Sequence, residues 1–144
     1  MDVILFIMIN VLLISSLVVS YVHLNKRRRQ INHQLGMNIS MTISMICALS
    51  FGALWGFQFP MHSSWVTIAA TVLSMLTGFI YGRLVDMQCV ITGISSGMMT
   101  GLMGPMIVMH TNRPALLLIF IMFLFFFSMI LLCGSVHMNQ KDER

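Results

Sequence analysis

The chain has 144 residues, of which 58% are hydrophobic and only 8% charged. A water-soluble domain carries about 25% charged side chains, so this composition cannot clothe a soluble surface and lipid must be the solvent. The length allows one small domain, and the net charge of +4 matters less by its sum than by its placement between apolar runs.

A bilayer-spanning helix needs roughly 20 apolar residues, and five such runs follow one another with short connections. They predict an all-α integral membrane protein, a single transmembrane domain over residues 1–144. The first span covers Val3–Leu24 and is followed by Lys26, Arg27, Arg28 and Arg29. A secretory signal carries its positive charge ahead of the apolar stretch and ends in small residues. Here the order is reversed, which predicts an uncleaved anchor. A basic run beside a span is expected to bind anionic lipid headgroups rather than nucleic acid.

The second span, Leu35–Phe57, carries small residues at every fourth position: Ser40, Ser44, Ala48, Gly52 and Gly56. The third, Trp65–Tyr81, continues the pattern with Ala70, Ser74, Gly78 and the flanking Gly82. The fourth, Met87–Met109, has Cys89, Gly93, Gly97 and Gly101. Residues four apart share a helix face, and small residues on that face let backbones approach closely in lipid. The fifth span, Ala115–Cys133, is bulky on every side and is expected to face lipid. The sequence thus predicts a tight core of the second to fourth spans, flanked by the first and fifth. Glycine faces in excess of what a monomer needs would serve a homo-oligomer or a larger complex.

Orientation follows from the basic residues. With the N-terminus outside and the C-terminus inside, Lys26, Arg27, Arg28, Arg29, Arg83, Lys141 and Arg144 all face the cytoplasm and only Arg113 does not. This is the bias that the positive-inside rule describes. Trp55 and Trp65 then fall at the outer interface, and Tyr21 and Tyr81 at the inner one, as aromatic belts do.

The run Gly-Ile-Ser-Ser-Gly-Met-Met-Thr-Gly-Leu-Met-Gly-Pro-Met, residues 93–106, resembles segments of uncharacterised small Gly/Met-rich multipass membrane proteins of Gram-positive bacteria. The resemblance implies a bacterial plasma membrane and no particular activity.

Residues that could carry chemistry are few. The acidic residues are Asp2, Asp86, Asp142 and Glu143, and none lies inside a span, whereas proton relays and ion-coupled carriers place an ionisable group there. No nucleophile, base and orienting group can be assembled. The chain is therefore not expected to be an enzyme, and no cofactor is expected. Cys47, Cys89 and Cys133 form no C-x-x-C motif and no pair near the outer surface, which argues against a structural disulfide. Arg83 and Asp86, three apart, are expected to pair locally. Pro105 should kink the fourth span, either to shape packing or to mark a transport site. Thr92, Ser96 and Thr100 form a hydroxyl stripe beside the glycines. Such hydroxyls bond back to their own helix or across to a neighbour, or else line a polar path. Among 16 methionines, most are expected to fill apolar gaps. Met61-His62 and Met109-His110 lie in the two outer loops and offer thioether and imidazole ligands suited to Cu(I).

Three functional classes stay open. The first is an accessory or structural subunit, partnered by the bilayer and by itself or another membrane protein. The second is a small oligomeric channel or transporter for an ion or small solute. The third is soft-metal handling at the outer face.

Overall fold

The computed structural model describes residues 3–26, 31–59, 61 and 63–142. Among them the regular structure is entirely helical: α1 (Val3–Lys26), α2 (His33–Gln58), α3 (Ser63–Gly82), α4 (Met87–Met109) and α5 (Pro114–Asp142). All five are long and apolar enough to cross a membrane, which marks a multi-pass membrane protein. The last helix continues past its apolar segment, Pro114–Gly134, into the polar tail, so it is longer than the span its hydropathy predicts. In lipid a helix is favoured because it satisfies every backbone donor and acceptor internally.

Two helix starts are set by side chains. Asn32 caps α2, its Oδ1 accepting from His33 N at 2.8 Å. Asp86 caps α4 in the same way, accepting from Met87 N at 2.7 Å. Such caps satisfy donors that the first helical turn leaves open. Between α3 and α4 the chain reverses within residues 83–86, through bonds from Leu84 N to Tyr81 O and from Val85 N to Gly82 O.

The most deeply placed helix is α2: 67% of its apolar window is buried within the protein, against 11% for α1. It runs beside α4 in the same direction, while α3 runs antiparallel to both. This follows from the pairing of Ser40 with Gly78, Ser44 with Ser74, and Ser44 with Gly93. The helices α1 and α5 lie outside this group, but each turns one stripe inward. On α1 the stripe is Leu13, Leu17, Ser20 and Leu24. On α5 it is Leu118, Ile121, Phe125, Met129 and Leu132. Both recur at steps of three and four, the spacing of one helix face. So α5 is not uniformly lipid-facing. Phe125 is fully buried while its neighbours Phe123 and Phe126 are exposed.

Candidate functional site

The polar atoms of the spans converge where α2, α3 and α4 meet. Ser40 Oγ on α2 donates to Gly78 O of α3 at 3.1 Å. Ser44 Oγ lies 3.0 Å from Ser74 O of α3 and 2.8 Å from Gly93 O of α4. One hydroxyl carries a single proton, so Ser44 shares it between two helices. Ser74 Oγ stands in the same relation to Thr71 O and Gly97 O, each at 2.8 Å. Three of these carbonyls on other helices, those of Gly78, Gly93 and Gly97, belong to residues bare of side chains, which lets the helices close up. A Cβ placed on Gly78 would lie 2.5 Å from the Gly93 carbonyl, and one on Gly82 would lie 2.5 Å from Val90 Cα. One on Gly93 would meet Ser40 Oγ and Gly78 O, and one on Gly101 would lie 2.6 Å from Thr71 Cα. One on Gly97 would meet Ser44 Oγ and Ser74 O.

The upper half of α2 meets a different partner. A Cβ on Gly52 would lie 3.0 Å from Pro105 Cδ, and one on Gly56 would lie 3.3 Å from Pro105 Cα. Ala48 O would lie 2.9 Å from a Cβ on Gly104. Pro105 is buried inside α4. Its ring occupies the hollow that two α2 glycines leave, and its missing N–H removes the intrahelical bond to the carbonyl four residues earlier.

The hydroxyl stripe of α4 is turned back on its own helix. Thr92 Oγ1 donates to Gln88 O at 2.9 Å, and Ser96 Oγ lies 2.8 Å from Thr92 O and 3.1 Å from Gly93 O. Thr100 is partly buried. On α3, Thr71 and Thr77 also bond to carbonyls of their own helix. Inside helices, hydroxyls commonly satisfy themselves in this manner.

At the end of the bundle holding the α2–α3 connection, Trp55 Nε1 donates to Asn10 Oδ1 at 3.0 Å, while Asn10 Nδ2 donates to Phe6 O at 2.9 Å. Asn10 therefore ties α1 to α2 with an amide that would otherwise stand unsatisfied in lipid. Beside it opens an apolar cavity of about 640 Å³ lined by Phe59, Trp65, Val66 and Ala69 among others. Trp65 is largely exposed.

At the opposite end the geometry departs from expectation at one place. Asp86 does not pair with Arg83: besides capping α4, its Oδ2 lies 3.7 Å from His33 Nδ1. The other ring nitrogen of His33 is 2.9 Å from Gln88 Oε1. The cap fixes the Asp86 carboxylate over α4, and the tight turn carries Arg83 to the other side of α3, where its Cζ lies 5.8 Å from the centre of the Phe79 ring. Tyr81 is buried within the protein, its hydroxyl donating to Leu17 O at 2.6 Å and its ring edge-on to Tyr21.

The proposed soft-metal set is only partly described. Met61 is almost wholly exposed, and His110 Nδ1 lies 3.0 Å from Met106 O. His62 and the side chain of Met109 lie outside the described residues, as do Arg27, Arg28 and Arg29 of the basic run, whose first member, Lys26, ends α1. Cys47, Cys89 and Cys133 are free thiols. His33 is the site residue that the sequence does not mark; Asn10 is visible as the one amide within the first apolar run and Trp55 as an interface aromatic, but their pairing is not.

Comparison of the chain with protein-family models, curated proteins and solved structures finds no match.

Proposed function

We propose that the chain is a non-catalytic accessory subunit that packs into a larger or homo-oligomeric assembly in a bacterial plasma membrane, with its N-terminus outside and its C-terminus inside. One observation carries this reading: the hydroxyls where the central helices meet bond to helix carbonyls, across to a neighbour or back to their own helix. Ser40, Ser44 and Ser74 bridge α2, α3 and α4, and Thr92 and Ser96 bond within α4. A solute path needs polar groups that face water, and coupled transport generally needs an ionisable group at membrane depth. The sequence places no Asp, Glu, Lys or Arg between residues 31 and 82 or between residues 87 and 112. The outward face of α4, with Met98, Met99, Leu102, Met103 and Met106 exposed, offers flexible apolar side chains that adapt to a neighbouring helix. The N-out orientation is supported by the distribution of basic residues.

Gentle solubilisation of native membranes, followed by affinity isolation, tests the assignment. The expected result is recovery in a fixed ratio with other membrane proteins or with further copies of the chain. Solute flux through purified protein in liposomes, abolished by a bulky substitution at Ser96 or Thr100, would replace the subunit reading with a channel.

A further inference from the structure

Arg83 stands at the lower end of α3 with no ion-pair partner among the described residues, since the neighbouring carboxylate of Asp86 caps the start of α4 and its Oδ2 lies 3.7 Å from His33 Nδ1. Its guanidinium opens onto a groove between α1 and α3, with a volume of about 410 Å³, lined by Tyr21, Asn25, Phe79, Ile80, Arg83 and Leu84. The wall is mostly polar, in contrast to the apolar cavity at the other end of the bundle. Asn25 is the penultimate residue of α1, and Arg83 directly follows α3. Both therefore lie where helices leave the hydrocarbon, the depth of the lipid phosphates. Phe79 and Ile80, one turn deeper on α3, are exposed toward lipid.

We propose that this groove is a binding site for an anionic phospholipid, with the lipid phosphate held by Arg83 and Asn25 and an acyl chain laid along Phe79 and Ile80. The chemistry fits at each level. A guanidinium presents a planar fork of donors that matches two phosphate oxygens, and pairs of this kind are among the stronger hydrogen bonds in proteins. The Asn25 amide adds two donors and the Tyr21 hydroxyl one. The cation–π contact with Phe79 holds the guanidinium at the rim without neutralising it, because a ring face supplies no counter-charge. Lys26, exposed at the next position of α1, adds positive potential that favours a headgroup of net negative charge over a zwitterionic one. The site differs from a diffuse basic anchor in having a walled groove and an apolar track below it. It depends on the membrane setting of the chain and not on the subunit assignment.

The test uses the full chain purified in a mild neutral detergent. Thermal unfolding and native mass spectrometry are recorded with phosphatidylglycerol, with phosphatidylcholine, and with excess inorganic phosphate. Phosphatidylglycerol is expected to raise the Tm and to remain bound to the wild type. Phosphatidylcholine should do so weakly, and inorganic phosphate should leave the Tm unchanged because it lacks the acyl chain. Arg83→Gln, at an exposed position, should unfold at the wild-type temperature without lipid and bind phosphatidylglycerol about tenfold more weakly, the loss of roughly one charge-assisted pair. Arg83→Lys should fall between the two, and Lys26→Gln should lower the preference for phosphatidylglycerol over phosphatidylcholine, by less than Arg83→Gln does. Asn25→Asp, which places a carboxylate in the groove, gives the same reading independently should Arg83→Gln fail to fold. Equal phosphatidylglycerol binding by the wild type and these groove variants would overturn the proposal. So would a Tm rise from inorganic phosphate as large as that from the lipid.

Discussion

Replacing Gly97 with leucine should dismantle the helical core. A Cβ at this position meets Ser44 Oγ on α2 and, at 2.9 Å and 3.0 Å, the Ser74 carbonyl on α3. Ser44 could swing its hydroxyl aside, but a backbone carbonyl cannot move without shifting its whole helix. A branched side chain of four carbons would therefore push α4 from two neighbours at once and break the bond from Ser74 Oγ to Gly97 O. Overpacking in a dense interior costs typically 1–3 kcal/mol, and a clash against two helices should exceed about 3 kcal/mol. The matched control is Gly134→Leu, the same chemical change on α5, where nothing lies within 4 Å. In detergent, Gly97→Leu should lose its cooperative thermal transition or elute as aggregate, while Gly134→Leu should behave as the wild type. Similar behaviour of the two variants would mean that α4 does not approach α2 and α3 as closely as the glycines allow. Gly52→Leu should resemble Gly97→Leu in direction with a smaller effect, because its nearest atom is the Pro105 ring at 3.0 Å.

The second large effect is expected on α5. Phe125→Ala should destabilise the protein by about 2 kcal/mol, and Phe123→Ala or Leu124→Ala by a few tenths at most. In a soluble protein, removing a buried phenylalanine costs about 3–5 kcal/mol, part of it forfeited transfer from water and part the cavity left behind. In lipid the transfer part is largely absent, since the displaced helix would still sit among hydrocarbon tails. The cavity part stays, because the atoms lining an unfilled space have no partner to restore their dispersion attraction. Phe125 is fully buried in the cluster that includes Leu13, Leu17, Phe51 and Met129, whereas Phe123 is 64% exposed. Thermal unfolding of the three variants side by side reads the difference. Equal destabilisation at Phe123 and Phe125 would show that α5 has no preferred inward face.

The number of helices is legible in the sequence through hydropathy, because a run of about 20 apolar residues is the physical requirement for crossing a bilayer; the extent of α5 is not, since its helix runs on into the polar tail. Spacing of four locates a small-residue face on the second, third and fourth spans, but which neighbour each face meets is set by packing. Thus Ser40 and Ser44 meet glycines of α3 and α4, while Gly52 and Gly56 on the same helix meet Pro105. The inward stripe of α5 is hidden in sequence for a simple reason: lipid and protein interior are equally apolar, so Phe123 and Phe125 carry the same chemistry and differ only in what they touch. The expected Arg83–Asp86 pair illustrates the opposite error. Nearness in sequence suggested it, but the carboxylate caps α4 and faces a histidine more than fifty positions away, at the start of α2. The guanidinium, left without an ion-pair partner among the described residues, is what makes the α1–α3 groove a candidate lipid site.

The proposed topology is an odd number of membrane crossings with the basic loops inside. Reporter fusions at Asp2 and at Arg144, one pair active only outside the membrane and one only inside, test it most directly. The expected result is an external N-terminus and an internal C-terminus, in keeping with five apolar helices and with seven of the eight Lys and Arg residues, all but Arg113, on one side. Both termini reporting from the same side would contradict it.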